Sequence, residues 1–322
     1  MDSVKVAAFD IGGTFVKCAK VEVNVKDFTF KVTEYKKIRS TVMFLGEVEV
    51  LIDKWKSDVD VVSFSVAGAV RDPKGVVFLP NMGLRVNFYE FAQKVAPGHQ
   101  VFILNDADAA AIACWQEAEK LGVSNYATVV LGTGVGAGII HGKKLLSTGA
   151  GEIGHIVVEK NGSNCSCGGK GCLETVCSTR FLEREAFARF GVRLTPKELF
   201  ESDMAYNLAN EMEKILDDNV LISPYELKRR LTVNRLASII LKYIENLAIA
   251  MASTVNLLAL EAVFLAGGIA RGVKKFEKLL KYFISKRLYS GFSPIIKFME
   301  NAELPLQGAA LYPAVLKVEQ GE

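Results

Sequence analysis

The chain has little excess of either charge: 39 lysine and arginine residues stand against 36 aspartate and glutamate among 322. That balance leaves no electrostatic footprint for a nucleic acid. No GxxxxGK[ST] stretch occurs, which excludes a P-loop. No basic, apolar leader precedes the first strand-like run at Val4–Asp10, so nothing marks the chain for secretion. Nor is there a clean membrane-length apolar run. The greasiest stretch, Leu236–Leu260, is broken by Lys242, Glu245, Asn246 and Asn256 and reads as a buried helix. Cysteine is sparse, six in all, and three of the six (Cys165, Cys167, Cys172) crowd into eight residues while Cys18, Cys114 and Cys177 lie scattered in apolar patterns. A reduced, cytoplasmic protein with one metal site fits this usage better than a disulfide scaffold. There is no low-complexity segment and no short repeat.

What is present is hydrophobic residues, 50% of the chain, enough for a large core and for two domains. The opening VKVAAFDIGGTFVKCAKVEV reads as two strands joined by a Gly-Gly turn, with a third strand at Phe28–Tyr35. Apolar spacing predicts a helix over Phe44–Lys56, a buried strand over Val59–Val66, an approach to a helix over Met82–Phe91, a strand at Val101–Leu104 and one Ala-rich helix over Asp106–Leu121. The second half starts the same way: YATVVLGTGVGAGIIHGKKLL is again strand, Gly-rich turn, strand. Two such openings suggest a duplicated α/β architecture that begins with antiparallel strands. A helical stretch follows from Ser178 to about Leu260, divided at Pro196 and Pro224. AVFLAGGI is then strand and turn, with a helix near Val273–Leu288, a strand at IIKFME and a last helix from about Gly308. The lobe boundary is expected near Ala113–Asn125.

Several motifs carry chemistry. In DIGGT, Asp10–Thr14, glycines let a phosphate approach the backbone, Thr14 can donate to it, and Asp10 can hold magnesium through water. A plain hairpin turn with local hydrogen bonds is a comparably good reading of this stretch alone. LGTGVGAGI, Leu131–Ile139, is a second such turn. It also fits a loose dinucleotide fingerprint, which requires a helix after the turn, whereas Gly138–Leu146 reads as strand, so NAD binding ranks low. AGGI, Ala266–Ile269, is a third turn after a strand. LNDADAAA puts Asn105 and Asp106 at a strand end that opens a helix. Asp106 could be the helix N-cap, or a general base facing a cleft with Asn105 holding a hydroxyl of a polyol. A cap explains one polar residue but not Asn, Asp and a second Asp together. LPN, Leu79–Asn81, and SVAGAV, Ser65–Val70, place Asn81 and Gly68 in loops, where such residues are more often plain turn features. The strongest local signal is Gly151–Glu174, GEIGHIVVEKNGSNCSCGGKGCLE. His155, Cys165, Cys167 and Cys172 form a Cys3His set of the kind tetrahedral zinc selects; such a set closes the coordination sphere and argues for a structural ion rather than for free thiols.

Taken together, DIGGT, LNDADAAA, LGTGVGAGI, GEIGH, CSCGGKGCLE and AGGI, in that order, resemble the ROK family of sugar kinases and related repressors. The resemblance spans nearly the whole chain. It implies a two-lobed actin-like ATPase (ribonuclease H-like) fold with a structural zinc loop. An N-terminal lobe would cover residues 1–115, with a last helix at about 307–322 packing back on it. A C-terminal lobe of residues 116–306 would carry the zinc loop and a helical insertion. It further implies that ATP contacts Asp10, Gly12, Gly13, Thr14, Lys17, Thr133, Gly134, Gly267 and Gly268, and that Mg2+ accompanies the nucleotide. Asp106 matches the catalytic base. Gly68, Asn81, Asn105, Asp106, Glu152, His155 and Glu174 match the sugar site. His155, Cys165, Cys167 and Cys172 match the Zn2+ ligands, so one ring nitrogen of His155 would serve zinc and the other the sugar.

By this resemblance Asp106 takes the proton of a hexose hydroxyl, the 6-OH, which then attacks the γ-phosphate; glucose is the leading substrate. Three departures fall on the sugar side. Asp108 stands where the family usually has Asn, Ala67 stands where it often has Pro, and MGLRVNF after Asn81 lacks an aromatic residue frequent in glucokinase-like members. N-acetylmannosamine, N-acetylglucosamine or fructose are therefore alternative substrates. A sugar-responsive repressor is a further alternative, but its DNA-binding segment of about 80 residues would precede DIGGT, whereas Asp10 lies near the start. A homodimer is expected by analogy with the family, and no nucleic-acid or membrane partner is expected.

Overall fold

The computed structural model describes residues 3–41, 43–80, 82–146, 150–218, 221–231 and 235–320. Two compact units share the chain. The first comprises Met1–Ser124, Gly138–Gly151 and Glu303–Glu322; the second comprises Asn125–Ala137 and Glu152–Ala302.

The first unit is built on strands β1 (Ser3–Ile11), β2 (Phe15–Asn24), β3 (Phe30–Arg39), β4 (Val61–Val66) and β7 (Gln100–Asn105), hydrogen-bonded in the order β3-β2-β1-β4-β7. The hairpin strands β1, β2 and β3 are antiparallel, while β1, β4 and β7 are parallel. Central position explains composition. Every residue of β4, VVSFSV, is buried, as a parallel strand covered on both faces requires. Edge strand β3, FKVTEYKKIR, is mostly exposed and lysine-rich, which discourages pairing with another chain. Between β4 and β7 run the short hairpin β5 (Val77–Leu79) and β6 (Leu84–Val86) and helix α2 (Phe88–Val95); helix α1 (Phe44–Trp55) precedes β4. Phe9, Phe64, Trp55 and Phe88 form one aromatic cluster through the core, with ring centroids 5.2 Å (Phe9–Phe64 and Phe64–Phe88) and 5.9 Å (Phe9–Trp55) apart.

The Ala-rich segment after β7 is two helices, α3 (Asp106–Ala113) and α4 (Trp115–Leu121), not one. The backbone tightens at Cys114, whose amide bonds to Ala111, and the buried Cys114 and Trp115 turn the chain inward. The last helix, α12 (Leu304–Gln320), lies on α3. Small residues make this contact possible: a Cβ on Gly308 would overlap the carbonyl of Ala109, so only glycine lets the two backbones meet.

A second sheet repeats the plan. Strands β8 (Tyr126–Leu131), β9 (Val135–His141), β10 (Lys144–Leu145), β11 (Ala262–Ala266) and β12 (Ile295–Phe298) follow the order β10-β9-β8-β11-β12, with β8, β11 and β12 parallel. Residues from Gly138 onward in β9, and β10, are counted with the first unit. Between β10 and β11 lie α5 (Thr179–Phe190), α6 (Pro196–Glu201), α7 (Asp203–Asp218), α8 (Pro224–Leu231) and α9 (Arg235–Leu258), so the two prolines do open new helices. The stretch expected as one helix near Val273–Leu288 is α10 (Ala270–Lys274) and α11 (Glu277–Ser285). Helix α9 is long and apolar enough to cross a membrane, but 72% of its greasiest window is buried inside the protein, which accounts for its hydropathy as core.

Candidate functional site

In the first unit the chemistry gathers at the carboxyl ends of parallel strands, where open α/β sheets characteristically bind ligands. Asp10, next to last in β1, is in register with Lys17 on β2 and Ser65 on β4. The residue is 6% exposed; Ser65 Oγ donates to Oδ1 at 3.3 Å, and Lys17 Nζ stands 3.6 Å from Oδ2. Burial raises the Asp10 pKa, and the Lys17 charge opposes the rise. The turn that follows leaves Gly13 and Thr14 exposed and is fixed from behind: Ser40 Oγ donates to the Gly12 carbonyl at 2.6 Å and the Ser40 amide to the Thr14 carbonyl at 3.1 Å. Ser40 carries no motif, and sequence reasoning missed it.

At the end of β7, the N-cap of α3 is Asn105, not Asp106. Asn105 Oδ1 accepts from the Ala107 amide at 2.9 Å, and its Nδ2 donates to the Gly68 carbonyl at 3.0 Å. The capping reading of Asp106 is thereby overturned: a neighbour takes the cap and leaves the Asp106 carboxylate uncommitted to that task. Burial, and then the Asp10 charge, push the Asp106 pKa from 3.8 to about 6. A carboxylate with that value is ionised at neutral pH yet more basic than usual, as a general base should be. Asp108, two residues on in the same first turn, is buried. Asn81 lies outside the described residues.

In the second unit, the segment after β8 is Gly132, Thr133 and Gly134, with the Thr133 side chain exposed. Strand β9 follows directly, so the dinucleotide fingerprint lacks the helix that it needs. Gly267, at φ +92°, turns the chain after β11 so that the Ile269 amide reaches the Leu131 carbonyl at the end of β8, 3.2 Å away. Gly267 and Gly268 are exposed beside it. The Gly132 carbonyl accepts from both the amide and the hydroxyl of Thr179, at 2.9 and 3.0 Å, a second anchor with no motif of its own.

His155 closes a short 3-10 turn, Ile153–His155, and Glu174 sits in another, Leu173–Thr175. The ligand atoms of His155, Cys165, Cys167 and Cys172 all lie within 4.8 Å of one another. His155 Nδ1 is 3.6 Å from Cys165 Sγ, and Cys167 and Cys172 sulfurs are 3.7 Å apart. Those separations are close to the edge of a tetrahedron with zinc–sulfur bonds of about 2.3 Å and zinc–nitrogen bonds of about 2.0 Å, and far from a disulfide of about 2.05 Å. Turn geometry assembles the set: the Cys165 amide bonds to the Gly169 carbonyl at 2.8 Å, and Val157 bridges Cys172. Burial and the neighbouring thiols push Cys172 up to about 12. The other ring nitrogen, Nε2, faces the exposed Glu152 carboxylate at 3.8 Å. The three scattered cysteines are buried free thiols.

Two five-stranded sheets of the same order, each opened by a hairpin and each carrying its polar residues at strand ends, define the actin-like ATPase fold. A family model described as "ROK family" matches residues 6–312, and the chain belongs to that family. Among relatives, it is 32% identical to an N-acetylmannosamine kinase of Vibrio vulnificus over 216 residues, 62% of this chain and 69% of that one. It is 31% identical to a glucokinase of Thermotoga maritima over 287 residues, 84% of each chain. The crystal structure of a ROK hexokinase from Thermus thermophilus shares the fold at TM-score 0.73 and 24% identity, covering 98% of this chain and 100% of that one.

Proposed function

We propose that this protein is an ATP-dependent sugar kinase that phosphorylates a hexose hydroxyl, the 6-OH, with glucose as the leading substrate. The observation that carries the reading is Asp106: a carboxylate raised to about 6 at a strand end, beside an asparagine that has taken over the helix cap. In the first unit Asp106 accepts the proton of the attacking hydroxyl and Asn105 and Gly68 bound the same pocket. Asp10, Lys17 and the turn through Gly12, Gly13 and Thr14 face the phosphates. In the second unit Thr133, Gly134, Gly267 and Gly268 bind the nucleotide, and Glu152, His155 and Glu174 receive sugar hydroxyls. The sugar oxygen forms a bond to the γ-phosphorus as the bond to the ADP oxygen breaks, and the hydroxyl proton ends on Asp106. Magnesium bound with ATP would neutralise charge on the phosphoryl oxygens, and Asp10, whose carboxylate lies 3.6 Å from Lys17 Nζ, would hold it through water.

The Cys3His set fits zinc by ligand type and spacing, and the ion's role there is structural. With Nδ1 turned to the thiols, Nε2 of His155 is the nitrogen left for a sugar hydroxyl. N-acetylmannosamine is the second substrate reading, supported by the relative of that activity. The test is ADP release with magnesium and ATP across glucose, fructose, N-acetylmannosamine and N-acetylglucosamine. Turnover with one of them and its loss in Asp106→Asn is the expected result; turnover with none sinks the reading. Use of ATP as phosphoryl donor supports a cytoplasmic enzyme.

A further inference from the structure

Glu174 makes a contact that a sugar ligand does not need. Its Oε2 accepts from the backbone amide of Val135 at 3.0 Å, the first residue after Gly132-Thr133-Gly134. The fit is close enough that a Cβ on Gly134 would overlap the Glu174 carboxylate. Inside the turn, the Gly132 amide bonds to the Gly134 carbonyl at 3.0 Å, which closes the segment into a tight loop. Two side chains from one later segment hold it: Thr179 on the Gly132 carbonyl and Glu174 on the Val135 amide. Glu174 is itself placed by its turn, Leu173–Thr175, which starts directly after Cys172. The Thr175 amide and hydroxyl both bond to the Cys172 carbonyl, at 3.0 and 2.7 Å.

We infer that Glu174 is a positioning residue for the phosphate turn: one carboxylate oxygen fixes Gly132–Val135 for nucleotide, leaving the other for sugar. This rests on the kinase reading and deepens it. The metal loop, through Cys172, is then tied to the nucleotide side of the reaction as well as to the sugar side. Glutamine keeps an oxygen that can accept from Val135 and loses only the charge, whereas alanine removes the contact.

The experiment is calorimetric titration of magnesium-ADP, without sugar, into wild type, Glu174→Ala and Glu174→Gln, with sugar KM measured in parallel. Losing a bond to a charged group predicts that Glu174→Ala binds ADP at least roughly tenfold more weakly. Glu174→Gln should bind ADP within about twofold of wild type while its sugar KM rises, because the neutral amide still makes the backbone bond. Glu174→Ala binding ADP as wild type does, with only sugar binding impaired, overturns the inference. Hydrogen exchange of the peptide spanning Leu131–Ala137 reads the same contact without ligand. Faster exchange at Val135 in Glu174→Ala, restored in Glu174→Gln, supports it, and unchanged exchange overturns it. Should wild type take up no ADP, the kinase reading fails, and the exchange result alone decides the role of Glu174.

Discussion

Replacing Asp106 by asparagine separates two consequences of holding this carboxylate in a half-buried, negatively charged place. Its pKa stands at about 6 against 3.8 for an ordinary aspartate, close to two units. Each unit corresponds to about 1.4 kcal/mol, so keeping the group ionised at pH 7 costs the native state about 2–3 kcal/mol. The sign follows from proton binding. Between pH 4 and 6 the native state holds more of this proton than the unfolded chain does. The cost is therefore absent below about pH 4, grows as pH rises, and is complete above about pH 7. Asparagine is neutral throughout. Asp106→Asn should thus be more stable than wild type by about 1–3 kcal/mol at pH 7 and nearly equal to it at pH 4, read from denaturant midpoints at unchanged m. Its sugar-phosphorylating kcat should fall by about 10²–10⁴, the usual contribution of a positioned base. A variant that is inactive and more stable is the expected pairing where a poorly solvated charge serves the proposed chemistry. A variant less stable than wild type at pH 7, or a stability difference that does not change between pH 4 and 7, would refute the reasoning.

The same ionisation predicts that kcat/KM loses activity as pH falls through about 6, with a slope of one proton; a flat profile down to pH 5 would count against Asp106 as base. Metal analysis should find one zinc per chain. Its removal by a chelator should weaken both sugar and magnesium-ADP binding, because His155 and the Glu174 turn depend on one cluster; loss of neither would exclude the linkage. Gly308→Ala should lower stability by about 1–3 kcal/mol, since a Cβ there overlaps the Ala109 carbonyl and forces α12 from α3; a wild-type denaturation midpoint would contradict that packing. Ser40→Ala, which frees the Gly12 carbonyl, should raise the ATP KM more than the sugar KM; equal changes would argue that the turn needs no such anchor.

Much of the fold was legible because its signals are strong and local. Glycine turns between β-branched runs announced both hairpins, and their repetition announced two sheets of one order. Boundaries were less legible. The hairpin Val77–Leu79 with Leu84–Val86 escaped because strands of three residues are too short to show alternation. The break at Cys114 escaped because alanine and leucine continue helical spacing across it, and only burial of Cys114 and Trp115 bends the chain. At the site, side chains with unusual chemistry announced themselves: Asp10, Asp106, His155 and the three clustered cysteines. The assignment between neighbours did not, since either Asn105 or Asp106 can cap a helix and only coordinates show which one does. Ser40 and Thr179 were invisible because each acts on a backbone carbonyl, a task that hydroxyls perform at many unremarked positions. Glu174 was legible as a polar wall residue but not as a partner of Val135, because the two stand 39 positions apart with the whole metal loop between them.

The central claim is phosphoryl transfer from ATP to a sugar hydroxyl with Asp106 as base. The most direct measurement is a single-turnover reaction with γ-labelled ATP, magnesium and the best sugar of the panel. The account predicts label on the sugar, stoichiometric with ADP, in wild type, and bound sugar with no transfer in Asp106→Asn. Label released only as inorganic phosphate, or transfer undiminished in the variant, would contradict it.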